Sequence, residues 1–581
     1  MKYNKIRIYI IVMISFLAFS CNDYLEIEPQ GYVSSGSPSA ESANGLVTAA
    51  YAAVGNNDMP GPIVSMVWYG SVRSDDAYKG GGGIGDMDQF NLYEQYNTVQ
   101  PSYSWDAGFP WTWENYYASI SRANSALRTL NQLTDEDYDL RKVRIGEARF
   151  LRGHSYFMLK ILFKYIPYID ENLSNEEILQ TSNRKYSNDE LWDKIAEDFQ
   201  YALDNLPETQ PEIGRVNKYS AAAYLAKLRL YQAYEQDENH QVTNISQSRL
   251  QEVVNLTEMV ISSGKYSLNP DFATNYLPEG DNSPEAVFSI QFSISDGTTA
   301  GRLNFEPGLS YPHGAPQYGC CGFHQASQNM VNAFATDANG LPVFQSFNDV
   351  ELSAADITSD GVTVDPRIDH TVGIDGHPYK YRNEDSYIYS TSWVRVPGVY
   401  GNFHSMKEQQ AADCSCYKKM GPFIGVSKNA DIIRYADVLL MQAEAYIELG
   451  QEARAMPLIN LIRQRAAEST VRTRFKDGSA PSNYLISEYD GVNLPWTQEN
   501  ARMALRWERR MEFAMEGPRF FDLVRWGIAE STLNAYLENE KPRREYLNNA
   551  KFTAGRDEYF PIPQREIDFT KGGYTQNIGY N

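Results

Sequence analysis

Glu508, Glu512 and Glu516 recur every four residues, which puts them on one face if the segment is helical. Two carboxyl groups facing each other across a groove can do acid–base work on a glycosidic bond. Arg506, Arg509, Arg510 and Arg519 stand beside them, so ion pairing within the helix and with its neighbours is the stronger expectation. Arg434 and Glu444 are read in the same way, as partners that fix the last helix pair. The seven histidines show no H-x-x-x-H or H-E-x-x-H spacing, so a catalytic metal lacks ligands. No G-x-S-x-G elbow and no G-x-x-x-x-G-K-[ST] phosphate loop occurs. Asp75, Asp76, Asp86 and Asp88 offer oxygens to calcium, but without an EF-hand pattern they read as solvated loop acids. No catalytic residue and no cofactor are expected.

Binding is better provided for. The chain holds 41 Tyr and 9 Trp, and a surplus of Tyr suits half-exposed surfaces where the ring packs and the hydroxyl stays wet. Tyr78, Trp105, Tyr311, Tyr318, Phe323, Trp393 and Tyr400 lie near turn residues, where a core role is less forced. A ring exposed there can cover the C–H face of a sugar. Asp76, His313, Gln317 and Arg395 are the matching candidates for its hydroxyls. Packing or plain exposure is the competing reading of each. Trp111 and Trp113 mark a helix start and read as core anchors.

The cysteines speak of compartment. Cys320-Cys321 and Cys414-x-Cys416 form two close pairs, a disulfide pattern suited to an oxidising environment. A vicinal bond and a cross-link between the pairs are both open, and a four-thiolate zinc site would have spacings unlike common zinc modules. Lys2, Lys5 and Arg7 precede an apolar run from Ile8 to Ala18 and then Ser20-Cys21, the pattern of a secretory signal. Cys21 at the cut is a candidate for acylation by chains such as palmitate, which hold a domain at a membrane without a span. Ordinary cleavage, leaving Cys21 for a disulfide, is the alternative. Formal net charge is −22, and −25 without the three basic signal residues (49 basic against 74 acidic). Nucleic acid is thereby disfavoured as a partner. No later run of eighteen apolar residues predicts a membrane span.

Elements that must position these groups follow from periodicity. Apolar and small residues at three- and four-residue intervals predict helices over 40–54, 113–130, 143–163, 189–206, 219–235 and 249–262, and again over 431–449, 454–467 and 498–516. Asn188 or Asp189 is the expected cap of the fourth. A small or apolar residue three before a Tyr recurs at Gly153 and Tyr156, Leu228 and Tyr231, and Ala443 and Tyr446, as in stacked helix pairs. Residues 265–430 are rich in Gly, Pro, Asn, Tyr and Ser. This long irregular insertion and the loops beside it are the expected home of ligand binding.

Two blocks, "DIIRYADVLLMQAEAYIELG" at 431–450 and "LRWERRMEFAMEGPRFFDLVRWG" at 505–527, resemble the SusD/RagB family of outer-membrane lipoproteins of Bacteroidetes. "CNDYLEIEPQG" at 21–31, "EARFLRGHSYF" at 147–157, "NMVNAFATDANGLP" at 329–342, "DPRIDHTV" at 365–372, "YFPIPQREID" at 559–568 and "QNIGY" at 576–580 agree in order. The resemblance implies a mostly α, SusD-like fold with four tetratricopeptide-like helix pairs. It implies a surface-exposed lipoprotein, anchored in the outer membrane, that captures a glycan without cleaving it and passes it to a SusC-type TonB-dependent barrel. RagB-like peptide capture is the alternative within the family. A glycoside hydrolase and a passive helical scaffold are the rivals outside it. The chain then divides into a signal (1–20), a lipidated tether (21–40), a helical region (41–264), the loop-rich insertion (265–430) and a C-terminal region (431–581). One departure stands out. Some sugar-binding relatives carry aromatics after "SDD", whereas this chain has Gly80 to Gly83, predicting an open or mobile surface.

Overall fold

The computed structural model describes residues 38–55, 66–98, 108–297 and 301–580. The signal, Cys21, most of the tether and Trp105 lie outside the described residues.

The longer helices, labelled in chain order, are α1 (Ala40–Val54), α2 (Phe109–Asn131), α3 (Arg141–Phe163), α4 (Asn188–Asn205), α5 (Lys218–Ala233), α6 (Gln247–Ser262), α7 (Tyr435–Glu448), α8 (Glu452–Glu468), α9 (Gln498–Glu512) and α10 (Ala529–Glu540). Short polar side chains start several of them. Ser39 and Ser187 form capping boxes with Ser42 and Glu190, and the Asn217 side chain accepts from the first turn of α5. The cap of α4 is thus Ser187, one residue before the expected Asn188. Each helix packs on the next, from α1 to α6. The rule of a small residue before a tyrosine has a visible cause at Gly153. A Cβ there would stand 3.0 Å from the Phe199 ring of α4, so glycine lets the two helices approach without displacing that ring. Trp113 is buried at the start of α2, as expected, and Trp111 is half-buried.

The stack continues across the insertion, because α6 packs directly on α7. Four short strands frame the intervening chain: β1 (Ala77–Gly80), β2 (Ala286–Ile290), β3 (Phe323–Ala326) and β4 (Ala430–Arg434). β2 pairs antiparallel with β4, so the chain enters and leaves the insertion on one ladder. Residues 431–434, expected as the start of a helix, belong to this ladder, and α7 begins only at Tyr435. β1 pairs antiparallel with β3, setting Tyr78 opposite Gln325 and Gly80 opposite Phe323. No helix among the described residues is long and apolar enough to cross a membrane.

The glutamates of α9 are locked in a buried ion network. Glu508 accepts from Arg367 at 2.6 Å and Arg463 at 3.1 Å. Glu512 accepts from Arg434 at 2.8 Å and Arg465 at 2.6 Å, and both arginines also hold Glu285. α9 ends at Glu512, so Glu516 is not on its face as expected, yet it still meets Arg434 at 3.1 Å and Lys407 at 2.7 Å. The neighbouring arginines turn away to other carboxylates: Arg509 to Asp437 and Asp522, Arg510 to Asp75 and Asp76, Arg519 to Asp75. The pairing is therefore between elements rather than within the helix. Burial alone would raise the Glu512 carboxyl, but Arg465, Arg434 and Arg367 hold it far below the ordinary range. Glu444 is bound by Arg525, Tyr234 and Trp526; burial opposes ionisation, Arg525 outweighs it, and the carboxyl falls to about 2.

Glu512→Gln leaves Arg434 and Arg465 under-compensated in the interior and should destabilise the fold by about 3–5 kcal/mol in chemical denaturation. A loss below about 1 kcal/mol would show that the network is dispensable. Glu444 should also shape acid unfolding. Its contribution is complete above its ordinary value of 4.5 and disappears as pH falls from there to about 2. Glu444→Gln should flatten stability against pH across that window.

Candidate ligand-binding site

The aromatic candidates among the described residues are in the interior, not on a platform. Tyr311, Tyr318 and Tyr400 have no exposed surface, Tyr78 and Phe323 almost none, and Trp393 is buried. Tyr311, Tyr318 and Trp393 join Tyr379, Tyr389, Ile424 and Val426 in a core belonging to the insertion itself. The physical reason is that a long segment with little regular structure has no helical stripe to bury, so its large rings must supply the apolar interior. Tyr78 is held at both ends of its hydroxyl, donating to Glu540 at 2.7 Å and accepting from the Gln328 amide at 3.0 Å. Asp76 accepts from Arg510 within the ion network. These seven side chains therefore correct the expectation of solvent-facing contacts.

The remaining candidates stay at the surface, and two of them meet. Arg395 Nη1 donates to Asp86 Oδ2 at 2.9 Å and to the Cys321 carbonyl at 3.2 Å. A Cβ at Gly322 would lie 3.2 Å from that of Arg395 and 3.5 Å from that of His313. His313 and Arg395 are thus neighbours over Gly322. Arg395 and Asp86 keep a third of their side-chain surface exposed, enough to be reached by a ligand. Partial burial and the charge of Arg395 hold His313 below its ordinary pKa. The shift favours the neutral imidazole, which can both donate and accept. Gln317 is half-buried, donating to the Ser386 carbonyl at 3.3 Å.

The glycine run paves this surface. Gly81, at φ +80°, would place a Cβ 2.5 Å from the Phe323 ring, and one on Gly82 would meet the Arg395 guanidinium at 2.8 Å. The loop is not a free one. The Gly81 amide donates to Gly322, the Gly82 amide to Asp86, and Lys79 Nζ to the Gly83 and Asp86 carbonyls. At Gly83 and Gly85, however, an added Cβ would meet nothing within 4 Å, so the outer face is open as expected. Ile84, 53% exposed, is the apolar side chain on this loop. Asp86 and Ile84 were not expected here; an acid and an aliphatic residue beside a glycine run were the available signal.

Asp75 and Asp76 turn to arginines and Asp86 to Arg395, so these three aspartates are already paired with cations. Among the described residues no group of three or more His, Cys, Asp or Glu side chains could hold a metal ion. Each cysteine pair closes on itself, Cys320 with Cys321 and Cys414 with Cys416.

A profile of the SusD family matches residues 284–580, half of the chain. The chain belongs to the SusD family. A second profile, described as starch-binding and associating with the outer membrane, matches residues 72–230. SusD-like protein P25 of Formosa agariphila is 24% identical over 559 residues, covering 91% of this chain and 90% of its own. A SusD homolog from Bacteroides thetaiotaomicron superposes with a TM-score of 0.67 at 21% identity, over 93% of this chain and 97% of its own. Surface glycan-binding protein A of the same organism, solved with laminarihexaose, superposes with a TM-score of 0.58 at 22% identity, over 93% and 99%. This SusD-family chain therefore has the mostly helical fold that its sequence blocks imply.

Gly81→Ala should cost more than about 1 kcal/mol, because the left-handed backbone and the Phe323 ring both oppose a Cβ. Thermal unfolding measures it. An unchanged midpoint would mean that β1 and β3 are not held as close as described.

Proposed function

We propose that this SusD-family protein is a glycan-binding lipoprotein of the outer membrane that captures oligosaccharide without cleaving it. The observation that carries the reading is the surface shared by Asp86, His313 and Arg395 over a pavement of glycines. Asp86 offers acceptors, Arg395 donors, and His313 both, which suits sugar hydroxyls. Ile84 and the bare glycine backbone let a ring approach closely. The bound laminarihexaose of the Bacteroides thetaiotaomicron relative supports glycan as the ligand class.

Non-catalysis is supported by the fate of the conspicuous carboxylates. Glu508 and Glu512 are consumed by arginines in the interior, and Asp86 is paired with Arg395. Lipidation of Cys21 would tether the domain, and a SusC-type TonB-dependent barrel would receive the cargo, as the family implies.

Calorimetry on the chain from residue 22, with laminarihexaose and a panel of other oligosaccharides and peptides, tests the proposal. Binding without new reducing ends is expected. Arg395→Ala should weaken it about tenfold to a hundredfold, the equivalent of about 1.5–3 kcal/mol for a charge-assisted hydrogen bond. Full affinity in Arg395→Ala would remove the site from this surface. Peptide binding with no response to any sugar would overturn the ligand class.

A further inference from the structure

A buried cation lies beneath the loop that carries Asp86. Lys79, on β1, has no exposed surface. Its Nζ donates to the Gly83 carbonyl at 2.8 Å and to the Asp86 carbonyl at 2.5 Å. These are the two ends of a tight turn, because the Asp86 amide itself donates to the Gly83 carbonyl at 3.1 Å. The centres of the Phe323 and Tyr400 rings lie 5.5 and 5.8 Å from the ammonium, within cation–aromatic reach. Two of the rings expected to meet a sugar thus face this lysine instead.

The turn has few other holds. Gly83 and Gly85 bring no side chain to pack, and that of Ile84 is largely in solvent. Asp86 is engaged twice. Its carbonyl is held by Lys79, while its carboxylate accepts from the Gly82 amide at 2.8 Å and from Arg395 at 2.9 Å. Whatever moves the Asp86 backbone therefore moves the group that aims Arg395. The acceptors of Lys79 are carbonyls rather than a carboxylate, so the strength of this hold depends on its own charge. A hydrogen bond from a charged donor is roughly twice as strong as one from a neutral donor. Burial draws the ammonium down from 10.5 to about 8; Glu94, Asp86 and Asp88 oppose the fall and Arg395 adds to it.

We infer that Lys79 is a positioning residue of the surface site: its charged ammonium holds the turn from Gly83 to Asp86, and through Asp86 the Arg395 guanidinium, in the arrangement that meets a sugar. The inference rests on the glycan-binding surface proposed above and adds that this surface depends on a protonated Lys79. Below about 8 the turn is held by a cation; above it a neutral amine donates more weakly, so affinity falls with rising pH. The surrounding groups do not mimic this fall. Glu94, on the short helix Asp88–Glu94, is pushed up to about 7 by burial, so it gains charge as pH rises and strengthens the pull on the ammonium. His313, held below its ordinary value, titrates on the acid side of this range, and burial pushes the Tyr400 phenol far above it.

Laminarihexaose, and each oligosaccharide of the panel that binds, is titrated calorimetrically into the chain from residue 22 at about pH 7 and about pH 9, either side of the Lys79 value of about 8. Wild-type affinity should fall about threefold to tenfold between the two. Lys79→Met, checked as folded by its unfolding midpoint, should start about tenfold weaker and show no alkaline fall. Lys79→Arg, whose charge is permanent, should recover most of the affinity lost in Lys79→Met and also lack the fall. A wild-type affinity that is constant with pH overturns the inference, and so does an equal fall in Lys79→Met. Hydrogen exchange of the peptide 80–88, followed by mass spectrometry and corrected for the intrinsic rate, reads the turn without any sugar. Its protection should drop in Lys79→Met and return in Lys79→Arg. If no sugar binds at either pH, the glycan reading fails by itself: a drop in protection still upholds the hold of Lys79 on this surface, and unchanged protection removes it.

Discussion

A charge taken out of water must find an opposite charge, and this molecule takes many out at one place. α9 contributes Glu508, Arg509, Arg510 and Glu512 to the interior, none of which is satisfied by α9 alone. Their partners come from far apart in the chain: Asp75 and Asp76 near the start, Arg367 in the insertion, Arg434 at its neck, Arg463 and Arg465 on α8. Removing any one partner strands a buried charge, a large penalty, whereas the intact set adds little over a well-packed apolar core. Such a network therefore disfavours misassembly more than it stabilises the fold. It demands that helical stack, insertion and N-terminal segment come together in one arrangement. Nearby, Arg73 lies 4.0 Å from the Phe520 ring centre and 4.1 Å from that of Phe560, so even the cation–aromatic contacts bridge distant segments.

The insertion answers a different constraint. It leaves the stack and returns on the ladder of β2 and β4, so the helices on either side remain in register as though uninterrupted. Lacking long helices, it cannot bury one stripe against a neighbour. Its interior is built from tyrosines and a tryptophan whose hydroxyls and indole must be accommodated locally. Tyr311 accepts from the Gln410 amide at 3.0 Å, and Tyr379 donates to the Ser405 carbonyl at 2.9 Å. The same rings that a sugar platform would need are thus spent on holding loops together.

This explains what the sequence revealed and what it concealed. Helices such as α1, α3 and α5 are legible to within a few residues because a 3.6-residue period repeats over several turns. β1 and β4 are not, because four or five residues give too few alternations, and their partners lie more than a hundred residues away. His313 and Arg395 were legible as polar groups in turn-rich chain, and both are at the surface. The aromatics misled because Gly and Pro report backbone geometry and say nothing of whether a neighbouring ring points inward. Gly81 misled in the opposite direction. Its lack of a side chain serves the approach of Phe323, a contact that no local pattern can announce.

The glycine surface also bears on how a capture protein can bind reversibly. Loops that must order on binding lose affinity to the entropy of ordering. Here the loop after β1 is already tied by Lys79, Asp86 and Gly322, and Arg395 is already oriented by Asp86 and the Cys321 carbonyl. A ligand meeting this face encounters a set backbone and few side chains. It gains directional hydrogen bonds without a deep apolar grip. For the binding proposed above, rigidity of the frame favours specificity and shallowness favours release.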